Sequence, residues 1–207
     1  MIRARICSPR NGVLRSFCTA VILRSVCRRW VIRVLAAIRR GSSRVRSFAA
    51  DRNPLGLLPA SALYKDPVYA RLVERFGSDR TYILSAGWGL IGASFLTPFY
   101  DITFSAVKPP DRYKRRKKSD CYRDFRMLPD DVDDTVVVFA SDRYMLLFFD
   151  LASRFTGRRV VFYSTANPPQ VTGCSLEKFR GTRSTNWQCD CANAFLDGSI
   201  EIPGAKI

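Results

Sequence analysis

The chain has 207 residues, of which 47% are hydrophobic and 25% are charged, and its formal net charge is +16. This length fits one ordinary domain that can bury a core without disulfides or metals. The sequence contains no histidine, which excludes Ser-His-Asp and Cys-His catalysis, a histidine general base and His-ligated zinc within this chain. Arg interrupts every apolar run before it reaches the ~18 residues that a membrane span requires, so we expect no span.

The first 50 residues differ in composition from the rest of the chain. They hold twelve Arg and no Lys, Asp or Glu, so most of the net charge lies there. Three interpretations fit this pattern: a spurious start, a mitochondrial-type targeting segment, or a basic arm for nucleic acid or anionic lipid. We expect residues 1–50 to be an Arg-rich extension outside the fold and residues 51–207 to form a single α/β domain. The expected location is the cytoplasm, or the mitochondrion if the extension is a targeting segment.

The first predicted elements of the domain are a helix and a strand. Apolar residues recur at helical spacing over residues 67–76, between the capping Asp66 and the stop residue Gly77. The apolar run 81–86 then predicts a buried strand. A long loop with several glycines is expected over residues 87–100.

A strand–helix–strand unit is predicted next. The apolar run 135–140 is rich in β-branched residues, which is typical of a central parallel strand. A helix capped by Ser141 follows, residues 158–165 predict a second strand, and a last helix is expected to end at Leu196. This order predicts an α/β fold, a three-layer sandwich with a short, mainly parallel sheet.

Polar or small residues follow three of the predicted strands. Because ligands bind beyond the carboxyl ends of the strands in such sheets, we expect a ligand site at that edge. An Arg and an Asn near the start of the last helix would add a charged and a polar contact. The candidate ligand-binding residues are Ser85, Gly87, Ser141, Asn167, Arg183 and Asn186.

The candidate catalytic residues are Asp101 and Tyr100. Without histidine, a carboxylate is the best remaining general base or electrostatic stabiliser. The alternative is an Asp that caps a turn. The nearby spacing Gly87-x-Gly89-x-x-Gly92 matches a dinucleotide-binding string. No helix clearly follows that string, so glycines that permit tight turns are the favoured interpretation.

A second basic cluster spans residues 112–118. Arg interleaved with Tyr can pair phosphates and stack bases, whereas a solvated loop is the alternative, since charge runs usually are solvated. The candidate nucleic-acid-binding residues are Arg112, Lys114, Arg115, Arg116, Lys117 and Lys118. No cofactor or metal is expected, because the Cys189-x-Cys191 pair lacks the spacing and the fourth ligand of a zinc site.

Four motifs together resemble the bacterial and phage family labelled YaaA-like. They are Pro59-Ala60-Ser61-Ala62-Leu63-Tyr64, Ile83-Leu84-Ser85-Ala86-Gly87-Trp88-Gly89-Leu90, Pro98-Phe99-Tyr100-Asp101-Ile102-Thr103, and the later Asn186-Trp187 with Cys191-Ala192. The resemblance covers roughly residues 57–198. It implies a single α/β domain with a role linked to nucleic acid or a nucleobase. Two departures are Trp88, where Tyr is commoner, and the Arg-rich stretch, which stands where such proteins usually open with a strand.

Two functional hypotheses follow. The first is an α/β domain that binds a nucleobase, a nucleoside or a nucleic-acid end above the sheet. If it is catalytic, Asp101 would support cleavage or transfer at an N-glycosidic bond by stabilising a cationic sugar. The second is a non-catalytic DNA- or RNA-binding module that uses the cluster at residues 112–118. An inactive product of a wrong start is a third possibility.

Overall fold

The computed structural model describes two thirds of the chain. The described residues are 20–24, 57–64, 66–98, 100, 102–104, 114–117, 120, 122–130, 134–181 and 185–202. The strands are β1 (Ala20–Arg24), β2 (Leu58–Pro59), β3 (Thr81–Ser85), β4 (Gly89–Gly92), β5 (Leu96–Thr97), β6 (Ile102–Thr103), β7 (Lys114–Arg115), β8 (Phe125–Arg126), β9 (Thr135–Phe139), β10 (Arg158–Tyr163) and β11 (Ser175–Lys178). The helices are α1 (Ala60–Leu63), α2 (Val68–Phe76), α3 (Asp142–Leu151) and α4 (Trp187–Leu196).

A seven-stranded sheet in the order β11-β10-β9-β1-β3-β4-β8 forms the centre of this α/β fold. The β11-β10, β10-β9 and β4-β8 pairs are parallel, whereas the β9-β1, β1-β3 and β3-β4 pairs are antiparallel. The prediction of a mainly parallel sheet is therefore wrong, and the sheet is mixed. One physical reason is the connection between β3 and β4, which spans only residues 86–88 and can join antiparallel strands but not parallel ones.

Strand β1 lies in the middle of the sheet. Its residue Ala20 pairs with Ile83 of β3 on one side and with Phe139 of β9 on the other. The expectation that residues 1–50 stay outside the fold therefore does not hold for these five residues. Its sequence, Ala-Val-Ile-Leu-Arg, is an apolar run suited to a central strand, but the many flanking Arg hide this signal in a composition count.

The sheet is covered by helices on both faces. Alternate residues of a strand point to opposite faces, so Val137 and Phe139 pack with side chains of α2 and α4, while Val136 and Val138 pack with α3. The rings of Phe139 and Phe195 on α4 lie 5.6 Å apart. No helix among the described residues is long and apolar enough to cross a lipid bilayer.

The predicted bounds of α2 agree with the structure, whereas Ser141 precedes α3 as predicted but its side chain makes no capping hydrogen bond. Helix α2 starts at Val68, whose N–H donates to Asp66 Oδ1 at 3.0 Å, and it ends at Gly77, which has φ +88°. The predicted strands over 81–86, 135–140 and 158–165 correspond to β3, β9 and β10. The long loop predicted over 87–100 is wrong in part, because β4 and β5 lie within it.

Candidate functional site

The strand directions bring three predicted site segments to one edge of the sheet. Strands β3 and β9 are both antiparallel to β1, so they run in the same direction, and Ala20 sets Ile83 level with Phe139. Ser85 and Ser141 each stand two residues beyond those paired positions. Their strands are separated by β1, which corresponds to about 10 Å between strand axes. The expected edge exists, although an antiparallel strand lies within it.

Ser85 ends β3 and is fully buried. Its Oγ accepts the backbone N–H of Gly87 at 3.1 Å and of Trp88 at 3.0 Å, and it lies 2.5 Å from the Oη of Tyr100. Because the two N–H groups occupy both lone pairs of the serine oxygen, Ser85 must donate its own proton to Tyr100. Ser85 therefore holds Tyr100 in place and has no bonding capacity left for a ligand.

Tyr100 continues the chain of hydroxyl groups to Tyr64. The two phenol oxygens are 2.6 Å apart. We refer to Ser85, Tyr100 and Tyr64 as the hydroxyl triad. Its three O–H groups carry three protons but share two hydrogen bonds, so one phenol proton is left to donate to an acceptor outside the triad.

The phenols of the triad are neutral near pH 7. Burial raises the pKa of Tyr64 well above its usual value, and the neighbouring Tyr100 raises it further. Burial also raises the pKa of Tyr100, although its hydrogen bonds with Ser85 and Tyr64 oppose this effect. The triad therefore supplies hydrogen-bond donors without placing a charge in the site.

Gly87 and Trp88 fix the ring of Tyr100. A Cβ atom on Gly87 would lie 3.0 Å from the ring carbon Cε2 of Tyr100 and 3.3 Å from Cδ1 of Ile102. The Trp88 ring meets the Tyr100 ring edge-on, with 6.2 Å between centroids. The absence of a side chain at Gly87 is thus what allows Tyr100 to reach Ser85. Gly87, which the sequence predicts to contact a ligand, packs against the Tyr100 ring in the structure.

A third tyrosine borders the triad and was missed by the sequence analysis as a site residue. Tyr144 lies in the first turn of α3, and its ring meets that of Phe104 edge-on at 4.9 Å. Burial raises its pKa, and so does its proximity to Tyr100. The helical spacing of apolar residues assigns Tyr144 to the core face of α3, and no short motif marks it. Tyr64 stands in a motif of the family resemblance, which is the one signal that could have found it.

An aromatic cluster lies beside the triad. The rings of Trp88 and Phe125 are stacked with centroids 6.2 Å apart, and Phe95 packs on Phe125 at 5.2 Å. Phe125 is 42% exposed. The indole Nε1 of Trp88 is buried and has no hydrogen-bond partner among the described residues. The region thus combines ring faces with an unused donor, and leaving such a group unpaired costs about 1–3 kcal/mol.

Arg116 of the basic cluster is used inside the protein. Its guanidinium makes two hydrogen bonds to Asp124, at 2.7 and 2.5 Å, and one to the carbonyl oxygen of Ala86 at 3.0 Å. It also lies over the ring of Tyr122, 4.4 Å from the centroid. The hydrogen bonds with Asp124 raise the pKa of Arg116 above its ordinary value. Three of the five N–H donors of Arg116 are thus used within the protein, and its predicted role in nucleic-acid binding stays a prediction.

The other described residues of the basic cluster are exposed. They are Lys114, Arg115 and Lys117. Strand β7 pairs with β6, so that Lys114 lies opposite Ile102 in the sheet register. This pairing puts the exposed cations two residues from Tyr100 along the neighbouring strand. Arg112 and Lys118 lie outside the described residues.

The remaining candidates lie farther from the triad or outside the described residues. Asn167 is exposed and follows β10, which stands three strand positions from β3, or about 14 Å. Asn186 precedes α4 with φ +60°, and the adjacent Trp187 stacks on Phe179 just beyond β11. The described contacts do not bring these two residues to the triad. Asp101 and Arg183 lie outside the described residues.

The metal and dinucleotide alternatives gain no support from the geometry. The part of the chain that the structure describes holds no group of three or more His, Cys, Asp or Glu able to bind a metal ion. Cys189 and Cys191 are buried on α4 and form no disulfide. The glycine string is followed by strand β4 rather than by a helix, so it lacks the strand–turn–helix context of a dinucleotide site.

Comparisons with protein-family models, with curated proteins and with solved structures found no match. By its fold and its site, the protein is a mixed-sheet α/β domain with a hydroxyl triad at the carboxyl edge of β3. The YaaA-like resemblance stays a prediction.

Proposed function

We propose that this protein is a three-layer α/β domain that binds a nucleobase, a nucleoside or a nucleic-acid end beside the hydroxyl triad. The observation that carries the proposal is the chain of hydrogen-bonded hydroxyl groups of Ser85, Tyr100 and Tyr64, held next to aromatic rings. The helices on both faces of the sheet support the layered arrangement.

The chemistry of the triad suits a flat, neutral ligand. A base carries carbonyl oxygens and ring nitrogens that accept a hydrogen bond, and a neutral phenol donates one without the cost of a buried charge. Its two faces are apolar and stack on aromatic side chains, each base contributing about 1–3 kcal/mol. The indole N–H of Trp88, which has no hydrogen-bond partner within the described part of the chain, offers a second donor.

Asp101 is the proposed catalytic residue if the domain turns over its ligand. It follows Tyr100 directly in the sequence. When an N-glycosidic bond breaks, the base leaves with the bonding electron pair and the sugar becomes cationic. A carboxylate stabilises that cation, and the phenol proton can hydrogen-bond to the leaving base. Water or another nucleophile then attacks the sugar carbon.

The proposal is tested by measuring nucleoside binding by calorimetry on the full chain. Tyr100→Phe removes the hydroxyl that links Ser85 to Tyr64, so we expect the affinity to fall by about tenfold, the effect of one hydrogen bond of about 1.4 kcal/mol. Tyr82→Phe is the matched control, since its hydroxyl bonds the carbonyl oxygen of Asp79 at the opposite end of β3. Asp101→Asn should leave the affinity intact and abolish turnover. Equal affinities for wild type and Tyr100→Phe would refute the proposal.

The alternative function is a non-catalytic DNA- or RNA-binding module. The exposure of Lys114, Arg115 and Lys117 favours it. Under this hypothesis, neutralising these three residues flattens the dependence of binding on salt, because each lost phosphate contact lowers the slope by about 0.7 on single strands. Variants with the wild-type slope would exclude it.

A further inference from the structure

Exposed cations are concentrated next to the hydroxyl triad. The described residues between positions 114 and 130 include six cations and three carboxylates. Asp124 is bound to Arg116, and Asp120 accepts the backbone N–H of Lys117 at 2.9 Å. The exposed cations that remain form what we call the basic strip, which consists of Lys114, Arg115, Lys117, Arg123 and Arg126.

The Arg116–Asp124 pair joins the two halves of the basic strip. Arg116 follows β7 and Asp124 precedes β8, so their two hydrogen bonds hold these strands together. The same guanidinium bonds the carbonyl oxygen of Ala86, in the turn that follows Ser85. The basic strip is thereby fastened directly to the segment that positions the triad.

An exposed aromatic ring lies between the basic strip and the triad. Phe125 pairs with Gly89 in the sheet and stacks on Trp88, which in turn contacts Tyr100. Phe125 is 42% exposed, so part of this side chain is open to solvent although Trp88 and Phe95 pack on its ring. Neighbouring Arg126 donates to the carbonyl oxygen of Asp150 on α3 at 2.8 Å, so this cation lies on the other face of the sheet from the Phe125 ring.

We infer that the ligand of the triad is the end of a single-stranded nucleic acid, whose phosphates follow the basic strip and whose penultimate base stacks on Phe125. This inference rests on the proposed function, since it adds the strand to the base bound at the triad. Exposed cations near a partly exposed aromatic ring suit a flexible single strand, because the cations can pair with its phosphates and the ring can stack on a base. A duplex hides its base faces, and a free nucleoside has no phosphates for the cations to bind.

The test compares two ligands on the same variants of the full chain. Fluorescence anisotropy measures the binding of a labelled single-stranded oligonucleotide over a range of salt concentrations, and calorimetry measures the binding of the free nucleoside. We expect the oligonucleotide to bind at least about tenfold more tightly at low salt. In the double variant Arg115→Gln/Arg123→Gln the slope of log affinity against log salt should fall by about 1.4, at about 0.7 for each charge.

Phe125→Ala and a matched Arg variant complete the design. Loss of the stacked base should weaken oligonucleotide binding by about fivefold to 150-fold and weaken nucleoside binding much less. Arg154→Gln removes another exposed cation just beyond α3 and should leave the binding of both ligands unchanged. The Arg side chains are exposed, so thermal melting of the Arg variants should match wild type, whereas Phe125→Ala also loses its ring contacts with Trp88 and Phe95 and should melt lower.

The outcomes separate this inference from the function on which it rests. The inference is overturned, and the proposed function stands, if nucleoside binding depends on Tyr100 while oligonucleotide binding is unaffected by substitutions in the basic strip. Oligonucleotide binding that depends on the strip but not on Tyr100 overturns both. Tighter binding of a duplex, or of vesicles containing phosphatidylserine, than of the single strand also overturns the inference.

Discussion

Replacing Asp124 by Asn should destabilise the protein through the charge that is left behind. The side chains of Arg116 and Asp124 are only 10% and 11% exposed. Removing one partner of a buried ion pair costs about 3–5 kcal/mol, because the other charge stays desolvated without compensation. An Asn side chain keeps one oxygen that accepts a hydrogen bond. We therefore expect a loss at the lower end of this range, about 3 kcal/mol.

Thermal and urea unfolding measure this loss. For a chain of this size, about 3 kcal/mol corresponds to a fall in Tm of roughly 6–12 °C. Asp120→Asn is the matched control, since its carboxylate accepts one backbone N–H near the surface and should cost less than about 1 kcal/mol. The Asp124→Leu/Arg116→Met variant should recover much of the stability by removing both charges. A loss below 1 kcal/mol for Asp124→Asn would show that Arg116 is solvated and would refute the reasoning.

Three further perturbations test other parts of the site. Gly89→Ala should lower the free energy of unfolding by about 1–3 kcal/mol, because φ is +82° and a Cβ would lie 2.7 Å from the backbone of β8. The matched control is Gly92→Ala on the same strand, which should cost less than about 1 kcal/mol because its Cβ would meet nothing within 4 Å. Gly87→Ala should displace the Tyr100 ring, seen as a change in near-ultraviolet circular dichroism, and a spectrum equal to wild type would contradict the packing. Burial raises the pKa of Tyr82 to about 12, so between pH 10 and 12 this proton is lost from the unfolded chain but kept in the folded one. Tyr82 should therefore contribute about 1.4 kcal/mol per pH unit to the fall in the free energy of unfolding, and Tyr82→Phe should show a slope that is less steep by that amount. If the free energy of unfolding fell equally steeply with pH in wild type and Tyr82→Phe, the raised pKa of Tyr82 would be contradicted.

The features that sequence patterns predict are those set by neighbours along the chain. Asp66 and Gly77 bound α2 through contacts within the first and last turns, and those signals are local. The β-branched run of β9 likewise predicts a buried strand without knowledge of its partners. The sequence marks Ser85 by its place at a strand end and Tyr100 by its place beside Asp101, and the structure brings Ser85 and Tyr100 together.

The features that escape sequence patterns depend on distant pairing. Nothing near Arg116 in the sequence distinguishes a cation that will bond Asp124 and Ala86 from its exposed neighbour Arg115. The same limit applies to β1, because its partners β3 and β9 lie about 60 and 115 positions further along the chain. A count of charges treats residues 1–50 as one basic segment, so it does not reveal the strand β1 within them.

The central position of β1 has a consequence for folding. Strands β9 and β10 with α3 form one local unit, and the β3-β4 hairpin forms another, so the sheet becomes continuous only when β1 inserts between them. The insertion of β1 closes a long stretch of chain and should occur late in folding, since the loss of chain entropy comes before the contacts can stabilise the sheet. A shortened chain that starts at residue 51 would leave β3 and β9 with unpaired backbone edges. Such edges template association with other chains, so the shortened protein should aggregate on refolding at concentrations where the complete chain does not.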